Sequence, residues 1–134
     1  MKYCVDCPNR GLVLKPNEKL DGSPDLEFTI GGRSDSDYGK NPQTRRSVSC
    51  GKVLLCGAPV TFRSSTQKTV ALSVMEAELY AAALCAQDMI YGRNVLLSIG
   101  LKVKLPMILE CNNQVAVDLA NSWSVSGRTH HVDV

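Results

Sequence analysis

Three short segments of the chain carry acidic and amide side chains that could bind a metal ion together. They are S-D-S-D at 34–37, M-E-A-E-L-Y-A-A at 75–82 and L-E-C-N-N-Q at 109–114. Magnesium and manganese prefer oxygen ligands, and two such ions acting on a phosphodiester need several carboxylates at one point. The spacing indicates chemistry of this kind, although the third segment carries an amide, Asn112, where a carboxylate would bind a cation more tightly.

The second segment contains two acids at the start of a predicted helix. Ser73 and Glu76 have the S-x-x-E spacing of a capping box, in which the glutamate returns to the amide of the serine. Glu78 falls on the stripe that should face the sheet, where an unpaired carboxylate is costly unless it binds a cation or reaches solvent. We therefore prefer Glu78 as a metal ligand, and a solvated helix glutamate is the alternative.

Asp35 and Asp37 are two residues apart on a predicted strand, so both project from the same side of it. Either could reach a shared site, although aspartates at strand ends are commonly turn residues. The order of elements favours the site, because a helix with Glu78 and a strand ending in C-N-N-Q follow. If that helix packs across both strands, the three segments meet.

The apolar periodicity predicts an α/β fold with a mixed sheet. Three early strands with short connections indicate an antiparallel meander, and Gly100 is a plausible helix stop. In chain order, the predicted elements are strands at 11–14, 26–35, 47–56 and 58–65, a helix at 72–98, a strand at 106–111 and a helix at 113–122.

The composition is that of one soluble globular domain: 134 residues, 44% hydrophobic and 21% charged. A formal charge of +2 is too small to argue for nucleic-acid binding by itself. No apolar run of about 18 residues is present, and the N-terminus lacks the apolar stretch of a signal peptide. We expect an intracellular protein, cytoplasmic or nuclear, that is not secreted and does not associate with membranes.

The six cysteines do not form a recognisable zinc pattern. Cys4 and Cys7 make a C-x-x-C pair, but no second pair follows at zinc-finger spacing. Free thiols are expected, and a metal-binding or redox module built on this pair remains an alternative function. His130 and His131 have no evident partner, so we expect them on the surface.

Four motifs in order resemble the ribonuclease H domain at the end of copia-type retrotransposon Pol polyproteins. They are S-D-S-D-Y-G-K-N-P-Q-T-R-R-S-V-S at 34–49, Q-K-T-V-A-L-S-V-M-E-A-E-L-Y-A-A at 67–82, C-N-N-Q-V-A-V-D-L-A at 111–120 and G-R-T-H-H-V-D-V at 127–134. Residues 1–25 resemble the connection that follows the reverse transcriptase domain, which leaves 26–134 for the ribonuclease H-like domain. The resemblance covers nearly the whole chain.

The resemblance implies a ribonuclease H-like mixed sheet, a three-strand meander plus a further strand, with helices packed on its faces. It makes Asp35 the first metal ligand and Glu78 the second, and it places Asn112 at the position of the third acid; Asp37 and Asp133 are weaker candidates. The implied cofactor is magnesium or manganese. The implied partners are an RNA–DNA hybrid, whose RNA strand the family hydrolyses, and the reverse transcriptase domain of the same polyprotein.

Two departures from the family pattern predict weak or absent cleavage. Asn112 removes one negative charge from the metal site. The family also has a fourth acid in a final helix beyond a further strand, past Val134, so the resemblance implies a degenerate, truncated copy without that last strand and helix. Asp133 belongs to the R-T-H-H-V-D motif and is not expected to be that acid.

Four basic residues could contact phosphates: Arg45, Arg46, Arg63 and Lys68. Solvated surface charge is the alternative explanation for them. A fold that has lost catalysis but still binds nucleic acid or protein is accordingly the second function that the sequence supports.

Overall fold

The computed structural model describes residues 14–18, 20–23 and 25–122. Cys4, Cys7, His130, His131 and Asp133 lie outside these residues, as does almost all of the strand predicted at 11–14. The elements are strands β1 (Glu27–Phe28), β2 (Ile30–Asp37), β3 (Val48–Leu55), β4 (Ala58–Thr66), β5 (Lys102–Val103) and β6 (Ile108–Cys111), and helices α1 (Val74–Ser98) and α2 (Gln114–Asn121).

The main sheet is mixed, with strand order β4-β3-β2-β6. The first three strands along the chain form an antiparallel meander, whereas β6 lies parallel to β2. A parallel pair needs a long crossover connection, which α1 provides by packing across β2 and β3. β1 and β5 form a separate, parallel two-stranded pair.

The predicted α/β class and mixed sheet are confirmed, and the meander has the predicted connections. The strand predicted at 26–35 differs in extent, because it is divided into β1 and β2 and because β2 continues to Asp37, which pairs with Val48. Asp35 therefore lies inside the strand rather than at its end. Among the described residues, α1 covers only one face of the sheet, and the other face carries no helix.

Small residues let α1 lie close to the sheet. Its inner side buries Ala77, Ala81 and Cys85, and on β2 it faces Gly32. A Cβ added at Gly32 would lie 2.4 Å from Met89 Sδ and 2.9 Å from Leu109 Cδ1. Burial raises the pKa of the Cys85 thiol, and the nearby Asp88 carboxylate raises it further. The helix and the sheet thus meet where neither has room for larger side chains.

The ends of α1 follow the predicted signals, with one correction. Ser73 Oγ accepts a hydrogen bond from the Glu76 amide at 3.1 Å, as in a capping box. The Glu76 carboxylate, however, accepts from the amide of Leu72 at 2.6 Å rather than from that of Ser73. At the other end, Gly100 has a positive φ of 82° and donates to the Leu97 carbonyl at 3.1 Å, which confirms the predicted stop.

No helix in the described part of the chain is both long enough and apolar enough to cross a bilayer.

Gly32→Ala tests the close packing of α1 on β2. The added methyl group meets the buried Met89 and Cys85 side chains and the partly buried Leu109, so we expect the free energy of unfolding to fall by about 1–3 kcal/mol. Gly31→Ala is the matched control, because a Cβ there has only the Ile108 carbonyl oxygen nearby, at 3.7 Å. Urea denaturation measures both; equal losses would contradict the packing described.

Candidate active site

The predicted site residues lie where β6 ends and its parallel pairing with β2 stops. Ser34 pairs with Cys111 in the parallel register, so the residues that follow on each strand are neighbours. The carboxyl ends of parallel strands meet at one edge of a sheet, which makes this edge a common place for ligands. The parallel pairing therefore brings together the first and third acidic or amide segments.

Asp35 and Asn112 are in direct contact at this edge. The Asn112 amide Nδ2 donates a hydrogen bond of 3.2 Å to Asp35 Oδ1, and both residues are exposed. The next residue, Asn113, has a structural role, because its side chain caps α2 by accepting from the Ala116 amide at 3.0 Å. This cap fixes the turn after β6 and leaves the Asn112 side chain beside Asp35.

Glu78 approaches the same edge from the helix. It is only 4% exposed, in agreement with its predicted position on the sheet-facing stripe of α1. The Ser36 amide donates to Glu78 Oε1 at 3.3 Å, and the Cys111 thiol lies 3.8 Å from Oε2. Its partners are thus the residues adjacent in sequence to Asp35 and Asn112, so all three predicted residues lie near the end of β6 and the neighbouring part of β2.

Asp35 and Glu78 reach β2 from different sides. Residues 32, 34 and 36 face α1, whereas Arg33, Asp35 and Asp37 project from the other side and are exposed. Asp37 shares the side of Asp35, as predicted, but forms an ion pair with Lys40. Within the described residues, no group of three or more His, Cys, Asp or Glu side chains is arranged to hold a metal ion.

The uncovered sheet face carries an open groove of about 450 Å³ beside Asp35. Across the strands, Arg33, Lys52 and Phe62 form one row, and Asp35, Cys50 and Ser64 form the next. Phe62 is 56% exposed, and Arg33 forms an ion pair with Glu110 at 2.5 Å. An aromatic ring and two cationic side chains thus share an exposed surface with the candidate site.

The four predicted phosphate-binding residues have different surroundings. Arg45, Arg46 and Lys68 are exposed, and Arg45 adopts a positive φ of 55° in the loop between β2 and β3. Arg63 is held by α1 through two hydrogen bonds to Asp88, at 2.8 and 2.5 Å. This bidentate pair gives Arg63 a structural role in joining β4 to the helix.

Sequence reasoning missed a buried polar contact that anchors the start of α1. Gln67 is 2% exposed, and its Nε2 donates to Ser49 Oγ at 2.9 Å and to the Ala77 carbonyl at 3.0 Å. Ala77 precedes Glu78, so the end of β4 helps to fix the helix turn that carries this carboxylate. The only sequence signal is that Gln67 opens the 67–82 motif.

The chain is similar to segments of retrovirus-related Pol polyproteins from plant transposons. It is 33% identical over 103 residues to the Pol polyprotein of transposon TNT 1-94 from Nicotiana tabacum. This alignment covers 77% of this chain and 8% of the relative. It is 25% identical to that of RE1 and 24% identical to that of RE2, both from Arabidopsis thaliana; these alignments cover 100% and 98% of the chain but 9% and 8% of the relatives. The chain thus spans less than a tenth of the relatives it matches.

No protein-family model matches the chain, and no solved structure matches it significantly. The similarity therefore supports an origin in a retrotransposon Pol region without assigning the chain to one domain of it.

Gln67→Leu tests the anchor of α1. The substitution removes two hydrogen bonds and deprives the buried Ser49 hydroxyl of a partner, so we expect the free energy of unfolding to fall by about 1–3 kcal/mol. Gln87→Leu is the control, since Gln87 is an exposed glutamine on α1. Chemical denaturation compares the two; a Gln67→Leu variant as stable as the control would remove the anchoring role.

Proposed function

We propose that this chain is a ribonuclease H-like domain of a retrotransposon Pol polyprotein and that it cleaves RNA–DNA hybrids weakly or not at all. Three features support the assignment: the four ordered sequence motifs, the antiparallel meander followed by a parallel strand, and the similarity to Pol segments of plant transposons. The fold would be the ribonuclease H-like one, and the ancestral reaction would be hydrolysis of the RNA strand of a hybrid.

The contact between Asn112 and Asp35 carries the proposal of weak activity. An ionised aspartate at position 112 would add a negative charge and two acceptor oxygens beside Asp35. Asn112 instead donates its amide hydrogen to the Asp35 carboxylate at 3.2 Å, so it occupies an oxygen that a cation would use. Both effects lower the affinity of the site for a divalent cation, because that affinity depends on the number of anionic ligands.

The oxygen donors at this edge are chemically suited to magnesium or manganese. The resemblance implies Asp35 and Glu78 as the residues that would hold the ion, although their side chains lie on opposite sides of β2 in this structure, and Asn112 could add only a neutral amide oxygen. When bound, the ion would activate a water molecule and stabilise charge on the phosphate oxygens. The Ser36 amide orients Glu78, and Gln67 fixes the helix turn that carries it. The exposed Asp35 leaves its side of the site open to a nucleic acid.

The nucleic acid would be bound through local contacts to its phosphates and not through the net charge of the chain. Arg45, Arg46 and Lys68 are exposed and available for such contacts. Arg63 is not available, because its ion pair with Asp88 would have to break first. The ancestral substrate is the RNA–DNA hybrid, and the reverse transcriptase domain of the same polyprotein is the protein partner that we propose. The metal-binding or redox module on Cys4 and Cys7 remains a separate prediction, because these residues lie outside the described part of the chain.

A non-catalytic nucleic-acid-binding role is the second candidate function. The exposed Phe62, next to Lys52 in the cross-strand row, is the observation that favours it. Aromatic rings beside cationic side chains stack bases of single strands with little sequence preference. Binding of hybrid or single strands without cleavage, reduced by Phe62→Ala, is the result that this function requires.

Asn112→Asp tests the proposed function. Restoring the carboxylate should raise cleavage of a labelled RNA–DNA hybrid in magnesium or manganese by about 10²–10³-fold, the usual effect of one interaction that stabilises transition-state charge. Gel analysis of single-turnover reactions measures the change. Asn94→Asp, on the exposed side of α1, is the control for added negative charge and should leave cleavage unchanged.

The same assay tests the position of the site. Adding Asp35→Asn to the Asn112→Asp protein should abolish the recovered activity. If the double variant cleaves as fast as Asn112→Asp, the proposed arrangement of metal ligands is wrong.

A further inference from the structure

Strand β4 ends the main sheet with an edge that has few of the usual protections. It is nine residues long and, in the described part of the chain, pairs only with β3. Natural edge strands avoid pairing with other chains through short length, lysines, prolines, bulges or inward-pointing charges. Pro59 and the irregularity in the β3–β4 pairing both lie near the start of β4. Residues 62–66 therefore form a regular edge without these protections.

The strand at the other end of the sheet, β6, is better protected. It has only four residues, and one of them, Glu110, is charged and forms an ion pair with Arg33. Short length and charged side chains both limit pairing at the edge of a sheet. β4 is thus the end of the sheet that can accept an added strand more readily.

The backbone of residues 62–66 has hydrogen-bonding groups that point away from the sheet. Just beyond β4, the Gln67 amide donates to the Ser47 carbonyl at 2.8 Å. Bonded pairs recur at every second residue of an antiparallel ladder, so in this register Ser65 and Arg63 also bond to β3. The alternate residues direct their N–H and C=O groups to the free edge, where a further strand could bind them; these residues are Phe62, Ser64 and Thr66.

The charges on this edge are compatible with a second copy of the same strand. Arg63 is the only charged residue on β4, and the Asp88 carboxylate already binds it through hydrogen bonds of 2.8 and 2.5 Å. A twofold axis through Ser64, the middle of the regular stretch, would place Arg63 opposite Ser65 of the partner subunit. Like charges directly opposite each other destabilise a strand pair, and this register contains none.

We propose that two copies of the chain pair antiparallel along β4 about a twofold axis at Ser64, which joins their main sheets into one continuous sheet. The outward backbone groups of one copy bond to those of the other, and Phe62 lies opposite Thr66 of the partner subunit. Aromatic and β-branched side chains opposite each other stabilise antiparallel strands. Twofold dimers that use the same surface in both subunits are the commonest oligomers. The dimer requires neither cleavage nor nucleic-acid binding.

Sedimentation velocity of the full chain over a series of concentrations tests the dimer. The original chain should pass from monomer to dimer as its concentration rises. Ser64→Lys places two ammonium groups beside the axis, and like charges facing each other across an interface are strongly unfavourable, so the dissociation constant should rise at least about tenfold. Circular dichroism confirms that each variant is folded.

Ile108→Lys is the matched control, because Ile108 is 68% exposed and lies on the other end strand, β6. It should leave the dissociation constant unchanged. A chain that stays monomeric at every concentration overturns the proposal, as does a Ser64→Lys variant that dimerises like the original chain. An equal loss in Ile108→Lys also overturns it, because the two copies would then pack face to face rather than edge to edge.

Disulfide cross-linking tests the register. The Cα atoms of a bonded antiparallel pair are about 5.5 Å apart, within the range that a disulfide spans. Ser64→Cys, combined with Cys50→Ser because Cys50 Sγ lies 3.8 Å from Ser64 Oγ, should therefore give a covalent dimer with oxidised glutathione. Mass spectrometry of peptides should show that the bond joins the two introduced cysteines.

Phe62→Cys in the same Cys50→Ser protein is the control for the register. In the proposed dimer its two copies lie four residues apart along the paired strands, or about 13 Å, which is too far for a disulfide. No cross-link at position 64, or equal cross-linking at positions 62 and 64, overturns the proposed pairing, whatever the outcome of the hybrid-cleavage assay.

Discussion

The parallel pairing of β2 with β6 is the constraint on which the candidate site depends. Hydrogen bonding in this register aligns Ser34 with Cys111, so Asn112, which follows β6, lies beside Asp35 on β2. The crossover that this pairing requires is α1, which brings Glu78 over the same edge. Residues separated by up to 77 positions along the chain thereby come into contact.

Close contact between helix and sheet is what makes this arrangement possible. Gly32 and the small side chains on the inner side of α1 bring the helix backbone near β2, and Gln67 ties the first turns of the helix to the end of β4. These contacts are made by residues without reactive groups, yet they decide where Glu78 lies. The buried carboxylate in turn has access to the backbone of Ser36 and to the thiol of Cys111.

Strand β2 separates two chemical environments. On its exposed side, Asp35 and Asn112 form an open oxygen and amide surface next to a groove, which suits a hydrated cation or a phosphate. On its helix side, the buried Glu78 carboxylate lies 3.8 Å from the partly buried Cys111 thiol, and Ser34 is buried nearby on the same side of the strand.

The sequence by itself determined most of the elements and the identity of the candidate residues, but not β5 or its pairing with β1. Apolar periodicity predicted α1, the meander and the short strand after Pro106, because burial of one face leaves a period in the sequence. Glu78 was separated from Glu76 by the same reasoning, since one position faces the sheet and the other caps the helix. Only the tertiary structure decided the partners. The hydrogen bond between Asn112 and Asp35 depends on strand register and on where the helix crosses the sheet. The ion pair between Arg63 and Asp88 and the contact between Cys111 and Glu78 depend on the same two features. These are set by long-range packing, which leaves no local pattern along the chain.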